Sequence, residues 1–311
     1  MRTPTRPGQE PTAIASAAGR PQRMTAVGTT NRGRAGAAAP GQITTRPVRR
    51  DPLGSPLAPV VLGSLGCVLA LTIWELASQL GAVPSADVPP PSTVLPTLAE
   101  ELAGERFWVS IGHTLTQWAA GFGLSIVVAV PVGLLLGSNE ATWRAFRPLV
   151  EFFRTVPGNA LIPLAILLWG LSLQSVVFLT VFGCGWSLIV QTMYGVHDVE
   201  QEARNTAAAF RLSRLERVRW VILPSALPYI VTGLRIASST ALIIAVSAEI
   251  LIGVPGIGQD IALTRTGGQV DRMYALILAS GVVGIVIDVV FSRFERHFLR
   301  WHESQRRWAE K

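Results

Sequence analysis

The stretch DVEQEARNTAAAFRLSRLERVRWVILP, residues 198–224, carries most of its charge as arginine and lies between long apolar segments. Gln201 to Arg211 sets Ala203, Thr206, Ala207 and Phe210 at helical spacing, with Arg204 and Asn205 on the other side, which predicts a short amphipathic helix. Ser213-Arg214-Leu215-Glu216 fits a capping box at the start of a second helix, with Leu215, Val218 and Ile222 on one face. That helix is expected to end near Pro224, which disfavours helical geometry in the residue before it. Two short helices meeting at a bend, with Arg211, Arg214, Arg217 and Arg219 outward, form a compact basic knob.

The flanking sequence is that of a membrane protein. Apolar residues make up 49% of the 311 and charged residues 15%, and the hydrophobicity is gathered into segments near the twenty residues that cross about 30 Å of hydrocarbon. Six segments qualify, over residues 57–79, 114–137, 146–170, 174–194, 225–253 and 273–292. The fold class is therefore all-α, a polytopic bundle of about six transmembrane helices. Residues 57–303 form the membrane domain, 198–224 its cytoplasmic loop region, and 1–56 and 304–311 its tails.

Arginine sorts by side. Nine precede Leu57, Arg144 and Arg147 occupy the second loop, and Arg293, Arg296, Arg300, Arg306, Arg307 and Lys311 follow the last span, while the other loops hold only Arg106, Arg265 and Arg272. Both termini are expected to be cytoplasmic, and the net charge of +7 then calls for no nucleic acid. The first fifty-odd residues, rich in Ala, Gly, Pro, Thr and Arg, read as a disordered tail, and Met24 is an alternative start. Arg49-Arg50 resembles an export signal, but the apolar run behind it is long enough to be an anchor.

Several chemistries are excluded. The single lysine is Lys311, so no phosphate-cradling Gly-Lys-Ser/Thr loop exists. The four histidines form no zinc-protease pattern, no serine occupies a Gly-x-Ser-x-Gly elbow, and Val254-Pro255-Gly256-Ile257-Gly258 reads as a turn. Cys67 and Cys184 sit in apolar segments as small hydrophobes. No cofactor, metal or catalytic residue is expected. Gly121, Gly133, Gly137, Gly281 and Gly284 are placed to allow close helix approach.

Val221-Ile222-Leu223-Pro224, followed by Ser225-Ala226-Leu227-Pro228 and Gly233-Leu234-Arg235, resembles the cytoplasmic signature of the membrane subunits of bacterial ABC importers, within them the nitrate/sulfonate/taurine-type permeases. Pro90-Pro91-Ser92, Thr155-Val156-Pro157, Ile162-Pro163-Leu164, Glu249 and Trp301 look similar to the same family. Ala207 matches the signature, whereas Arg211 stands in its glycine position and Asn205 in its glutamate position. The resemblance implies a type I importer fold and a plasma-membrane permease subunit without catalysis of its own. It implies a separate ATP-binding subunit, an extracytoplasmic substrate-binding protein and a second permease chain, identical or diverged. The solute expected is a small anion or organic molecule of the nitrate, sulfonate, taurine or vitamin-precursor class.

In such importers the knob enters a cleft on the ATPase. Ala207, Phe210, Arg211, Leu212, Ser213, Arg214, Leu215, Arg217 and Pro224 would make that contact, with Phe210, Leu212 and Leu215 as apolar anchors inside an arginine rim. Ionisable residues within spans are costly, which makes Arg235, Glu249, Glu151 and Arg154 the pathway candidates and Asp288 a helix-packing partner. For Arg235, bonding to backbone carbonyls or to a neighbouring helix is preferred over contact with solute. An ion-coupled secondary transporter is the alternative, but no internal repeat supports it. A membrane enzyme would need clustered His, Asp or Glu, and the ionisable residues are scattered.

Overall fold

A computed structural model describes residues 58–299, so the expected tails at 1–56 and 304–311, the choice of start, and Trp301 lie outside the described residues. All regular structure among the described residues is helical. In chain order the helices are α1 (Ala58–Gln79), α2 (Pro91–Ala103), α3 (Glu105–Gly137), α4 (Glu140–Thr155), α5 (Ile162–Trp169), α6 (Leu173–His197), α7 (Gln201–Ala209), α8 (Arg214–Arg217), α9 (Leu223–Ile252), α10 (Ile257–Thr266) and α11 (Val270–Phe298). Five are long and apolar enough to cross a membrane: α1, α3, α6, the continuous stretch from α8 through α9, and α11.

The third expected span, 146–170, is two helices. α4 meets the stretch Gly158–Trp169, a 3-10 turn at Gly158–Leu161 leading into α5, at 81° across a break at Val156 and Pro157. Pro157 is the cause: it holds Val156 extended at φ −71°, ψ 120°, and Pro163 then falls in the first turn of α5, where its missing N–H is harmless. α4 is also amphipathic, carrying Glu140, Arg144, Arg147, Glu151 and Arg154 over sixteen residues. α2 and α10 lie outside the six expected segments.

The centre of the bundle is α6, held between α3 and α9 by small residues. Gly121, Ser125, Ala129, Gly133 and Gly137 recur every fourth residue on α3 and are all buried. A Cβ on Gly121 would stand 2.6 Å from Thr180, on Gly133 2.5 Å from Thr192, and on Gly137 2.9 Å from both the Met193 carbonyl and Val196. Ser125 meets the Cys184 sulfur at 3.1 Å. The constant offset of 59 residues fixes α3 and α6 as parallel neighbours in one register. Helices in lipid gain little from apolar burial, so this close backbone approach supplies the van der Waals contact that holds the pair. α9 runs antiparallel to α6 through Gly195 against Tyr229 and Gly233 against Gln191, two glycines not among those expected to allow close approach. Gly281, expected to serve in the same way, has open space where its Cβ would be, and Gly284 has only an ordinary contact with Leu242.

α1 is attached at its end. Glu75 accepts from the backbone N–H and hydroxyl of Ser92 at the start of α2, and Trp74 lies 5.9 Å from Tyr274 of α11. Val60, Leu65 and Val68 stay exposed along it, the surface expected of a helix bathed in hydrocarbon.

Candidate coupling site and pathway groups

The knob is built by satisfying helix ends. α6 stops at His197, and the Arg204 guanidinium turns back to donate to the carbonyls of Val196 at 2.7 Å and Val199 at 3.3 Å. Arg204 is therefore half-buried and serves as a C-terminal cap, a role its place on the polar side of the helical wheel did not reveal. Ala207 is buried, which seats α7 on the bundle.

α7 ends in a Schellman motif. The Leu212 N–H donates to the Ala207 carbonyl at 3.1 Å and the Arg211 N–H to the Ala208 carbonyl at 3.0 Å, which requires a left-handed residue between them. That residue is Arg211, at φ +54° the one non-glycine with positive φ among the described residues. The signature's glycine position thus keeps its geometry without glycine, at a strain of roughly 1 kcal/mol. Arg211→Gly relieves the strain but gives the unfolded chain more freedom. The expected result is a thermal midpoint within a few degrees of wild type and unchanged coupling, whereas Arg211→Val, β-branched at a positive φ, lowers the midpoint clearly. Thermal unfolding of the detergent-solubilised protein, followed by size-exclusion fluorescence, checks both.

The capping box is complete. The Ser213 N–H donates to Glu216 Oε2 at 2.8 Å and the Glu216 N–H to Ser213 Oγ at 3.3 Å. These bonds to Ser213 hold the Glu216 carboxyl below its usual range. The helix that begins there does not end near Pro224. It widens into a π-turn over Val218–Ile222 and continues as α9, with the Leu223 N–H reaching the Val218 carbonyl. A wider turn makes room for the proline ring against the carbonyl four residues before it, so the chain bends without breaking. The stretch from Arg214 to Ile252 has 39 residues, about 58 Å, so its first turns extend past a hydrocarbon layer of about 30 Å.

The knob surface is apolar at its centre. Phe210 is 76% exposed, Leu215 78% and Trp220 65%, large side chains held in the open by a rigid scaffold. Leu212 and Arg217 are half-buried, while Ser213, Arg214 and Arg219 are exposed, with the Arg219 guanidinium 5.3 Å from the Trp220 ring centroid. Trp220 was absent from the expected anchors; an aromatic beside arginines in a loop otherwise poor in aromatics was the available signal.

The pathway candidates separate into three places. Glu151 and Arg154 pair at 3.6 Å on α4, where Glu151 also accepts from the Tyr194 hydroxyl at 3.2 Å. Arg235 pairs with two carboxylates of α11, Asp288 at 3.0 Å and Glu295 at 3.4 Å, and Glu295 accepts from Thr232 at 2.9 Å. Arg235 therefore bonds to a neighbouring helix, and Asp288 is its packing partner.

Glu249 stands at the other end of α9, about 21 Å away at 1.5 Å per residue. It is fully buried, and Oε2 accepts from the Gly258 N–H at 2.8 Å and the Thr114 hydroxyl at 3.0 Å. Thr114 accepts from the Ile257 N–H at 3.0 Å, and Gln117 donates to the Pro255 carbonyl at 2.6 Å. Arg106 pairs with Asp260 at 2.9 Å. A Cβ at Gly256 or Gly258 would collide with the Glu249 side chain, which explains both glycines of the 254–258 turn. Glu249 thus clamps the α9–α10 connection to α3, a network whose bonds to α3 join residues 135 or more apart along the chain and left no local trace.

The family model described as binding-protein-dependent transport system inner membrane component matches residues 129–300. A permease protein of Bacillus subtilis named for aliphatic sulfonates transport is 30% identical, with the match covering 78% of this chain and 88% of the relative. The bicarbonate transport system permease protein of Synechococcus elongatus is 29% identical over 78% of this chain and 90% of its own. The nitrate import permease protein of Synechocystis is 28% identical over 77% and 90%. Among solved structures, an inward-facing MetNI methionine ABC transporter chain superposes with a TM-score of 0.55 at 20% identity, covering 61% of this chain and 96% of that one. A chain of a bacterial ABC transporter for the acidic polysaccharide alginate gives 0.52 at 16% identity over 78% and 93%, and these two likenesses establish the fold.

Proposed function

The chain belongs to the family of binding-protein-dependent transport system inner membrane components and is the permease subunit of an ATP-binding-cassette importer, and from that premise we propose how it is coupled and what it carries. An ATP-binding subunit docks on the knob formed by α7 and α8, with Phe210 and Leu215 as its buried anchors, Leu212 and Trp220 beside them, and Arg214, Arg217 and Arg219 as a steering rim. Ala207, Arg211, Ser213 and Pro224 hold the shape. The observation that carries this reading is the exposure of Phe210 and Leu215 on a helix pair locked by a Schellman motif and a capping box. A chain without a phosphate-cradling loop borrows its energy, so this subunit catalyses no hydrolysis itself.

The arginine-bearing ends of α4, α8 and α11 then face the cytoplasm, as do both termini. The α9–α10 connection faces outward, toward an extracytoplasmic binding protein, and a second permease chain completes the pathway. The solute is a small polar molecule in the range spanned by the relatives' bicarbonate, nitrate and aliphatic sulfonates. An ion-coupled secondary transporter has no support in the comparisons. Reconstitution of the chain with its ATPase and binding protein in liposomes tests the proposal. Uptake is expected only with internal or external ATP on the knob side, and uptake driven by an ion gradient without ATP would overturn it.

A further inference from the structure

α4 is fastened along α6 by two ring stacks. Trp143 lies on His197 at 4.3 Å between centroids and 2° between planes, and Phe153 lies on Trp186 at 4.9 Å and 10°. The two contacts are ten residues apart on α4 and eleven on α6, about 15 and 17 Å at 1.5 Å per residue, so the helices run side by side and antiparallel. Between them Tyr194 meets Trp143 edge-on at 5.1 Å and donates to Glu151 at 3.2 Å. The Arg147 guanidinium covers the Trp143 and Tyr194 rings at 5.5 and 5.8 Å, and Glu140 Oε2 lies 3.7 Å from His197 Nδ1.

The knob hangs from the same turn of α6. His197 is the last residue of that helix, and its carbonyl, at 3.4 Å, is one of three that accept from the Arg204 guanidinium of α7. One residue therefore meets α7 through its backbone and α4 through its ring. α4 carries Glu140, Arg144, Arg147, Glu151 and Arg154 within about 80° of arc at 100° per residue, and its helical run stops at the break at Val156 and Pro157. Given the docking of the knob on an ATP-binding subunit, on which this rests, we propose that the Trp143–His197 stack carries the displacement of the knob into α4 and moves this charged stripe. Trp143 and His197 are then positioning residues for transport, acting through α4 and not on the solute.

Distances between nitroxide labels at Ala145→Cys on α4 and Leu95→Cys on α2, in a Cys67→Ser/Cys184→Ala background of the assembled transporter, test it before and after vanadate trapping with ATP. A shifted population is expected on trapping. One aromatic stack is worth roughly a fivefold change in an equilibrium, and a contact transmits no more than it is worth. His197→Ala removes a side chain that is 41% exposed and so leaves no closed cavity. It is expected to lower the ratio of shifted to unshifted molecules by about fivefold while the ATP-binding subunit co-purifies as before. His197→Phe restores the ratio, and Trp143→Leu lowers it alike but adds nothing to His197→Ala. If Trp143→Leu fails to accumulate, the His197 series decides alone. No shift with the ATP-binding subunit bound and hydrolysing would show that α4 is not carried. A shift in His197→Ala equal to wild type, or one that His197→Phe does not restore, would overturn the role of the stack. Weaker co-purification of His197→Ala would make His197 a docking residue instead. Docking itself is judged on Phe210→Ala, which leaves the stack intact, so the two failures are told apart.

Discussion

Phe210→Ala combined with Arg214→Glu and Arg217→Glu will insert into the membrane at wild-type levels and transport at less than a tenth of the wild-type rate. Phe210 is 76% exposed, so its truncation leaves no cavity in the chain itself. An aromatic anchor at the centre of an interface contributes about 2 kcal/mol or more, which is roughly thirtyfold in association. The two reversals act at a different stage, turning a steering rim into a repelling one. Phe210→Ala alone separates these contributions, because it touches no charge and its effect is expected to persist at high salt, where rim electrostatics fade. Wild-type transport by the triple variant would make the knob a solvated loop.

Gly133→Leu is expected to have the largest effect on folding. Even a Cβ at this position falls 2.5 Å from Thr192 and 3.0 Å from the Ile189 carbonyl, and neither neighbour is the free end of a long side chain. The four carbons of leucine can be housed only by separating α3 from α6, which breaks the register shared by Gly121, Ser125 and Gly137. Overpacking a tight core typically costs 1–3 kcal/mol, and forcing two backbones apart lies at or beyond the top of that range. Membrane-embedded protein is expected to fall severalfold, with the remainder aggregating in mild detergent. Gly281→Leu, where space is open, is the matched control and should accumulate normally in the isolated chain.

The contrast between those two glycines shows where sequence reading reaches its limit. Both sit in apolar segments, and spacing marks both as small-residue positions, but the partner that makes Gly133 indispensable is 59 residues away on α6. Local signals fared better. Ser213 to Glu216 announced its capping box, and Pro157 and Pro163 were visible in the segment that proved to be broken, although composition alone could not say that the two halves turn 81° apart.

Arg211 illustrates a substitution tolerated by backbone geometry. The Schellman bonds fix a left-handed residue whatever its side chain, so the loss of glycine weakened the motif as text and not as structure. The cap made by Arg204 was missed because a helical wheel reports a direction and not what waits there, and Trp220 was left out of the expected anchors altogether. The Arg235 pair was foreseeable in kind, since an arginine within a span seeks a neighbouring helix, while Glu295 as its second partner was not. The Glu249 clamp needed the fold itself, because Thr114 and Gly258 meet it from different helices.

Co-expression with the ATP-binding subunit, followed by purification through a tag on this chain, tests the docking of the knob most directly. The two are expected to co-purify with vanadate-sensitive ATP hydrolysis, with Phe210→Ala weakening their association by roughly thirtyfold and Arg211→Gly leaving it unchanged. Association of equal strength in wild type and Phe210→Ala would contradict it and place the coupling contact elsewhere on the molecule.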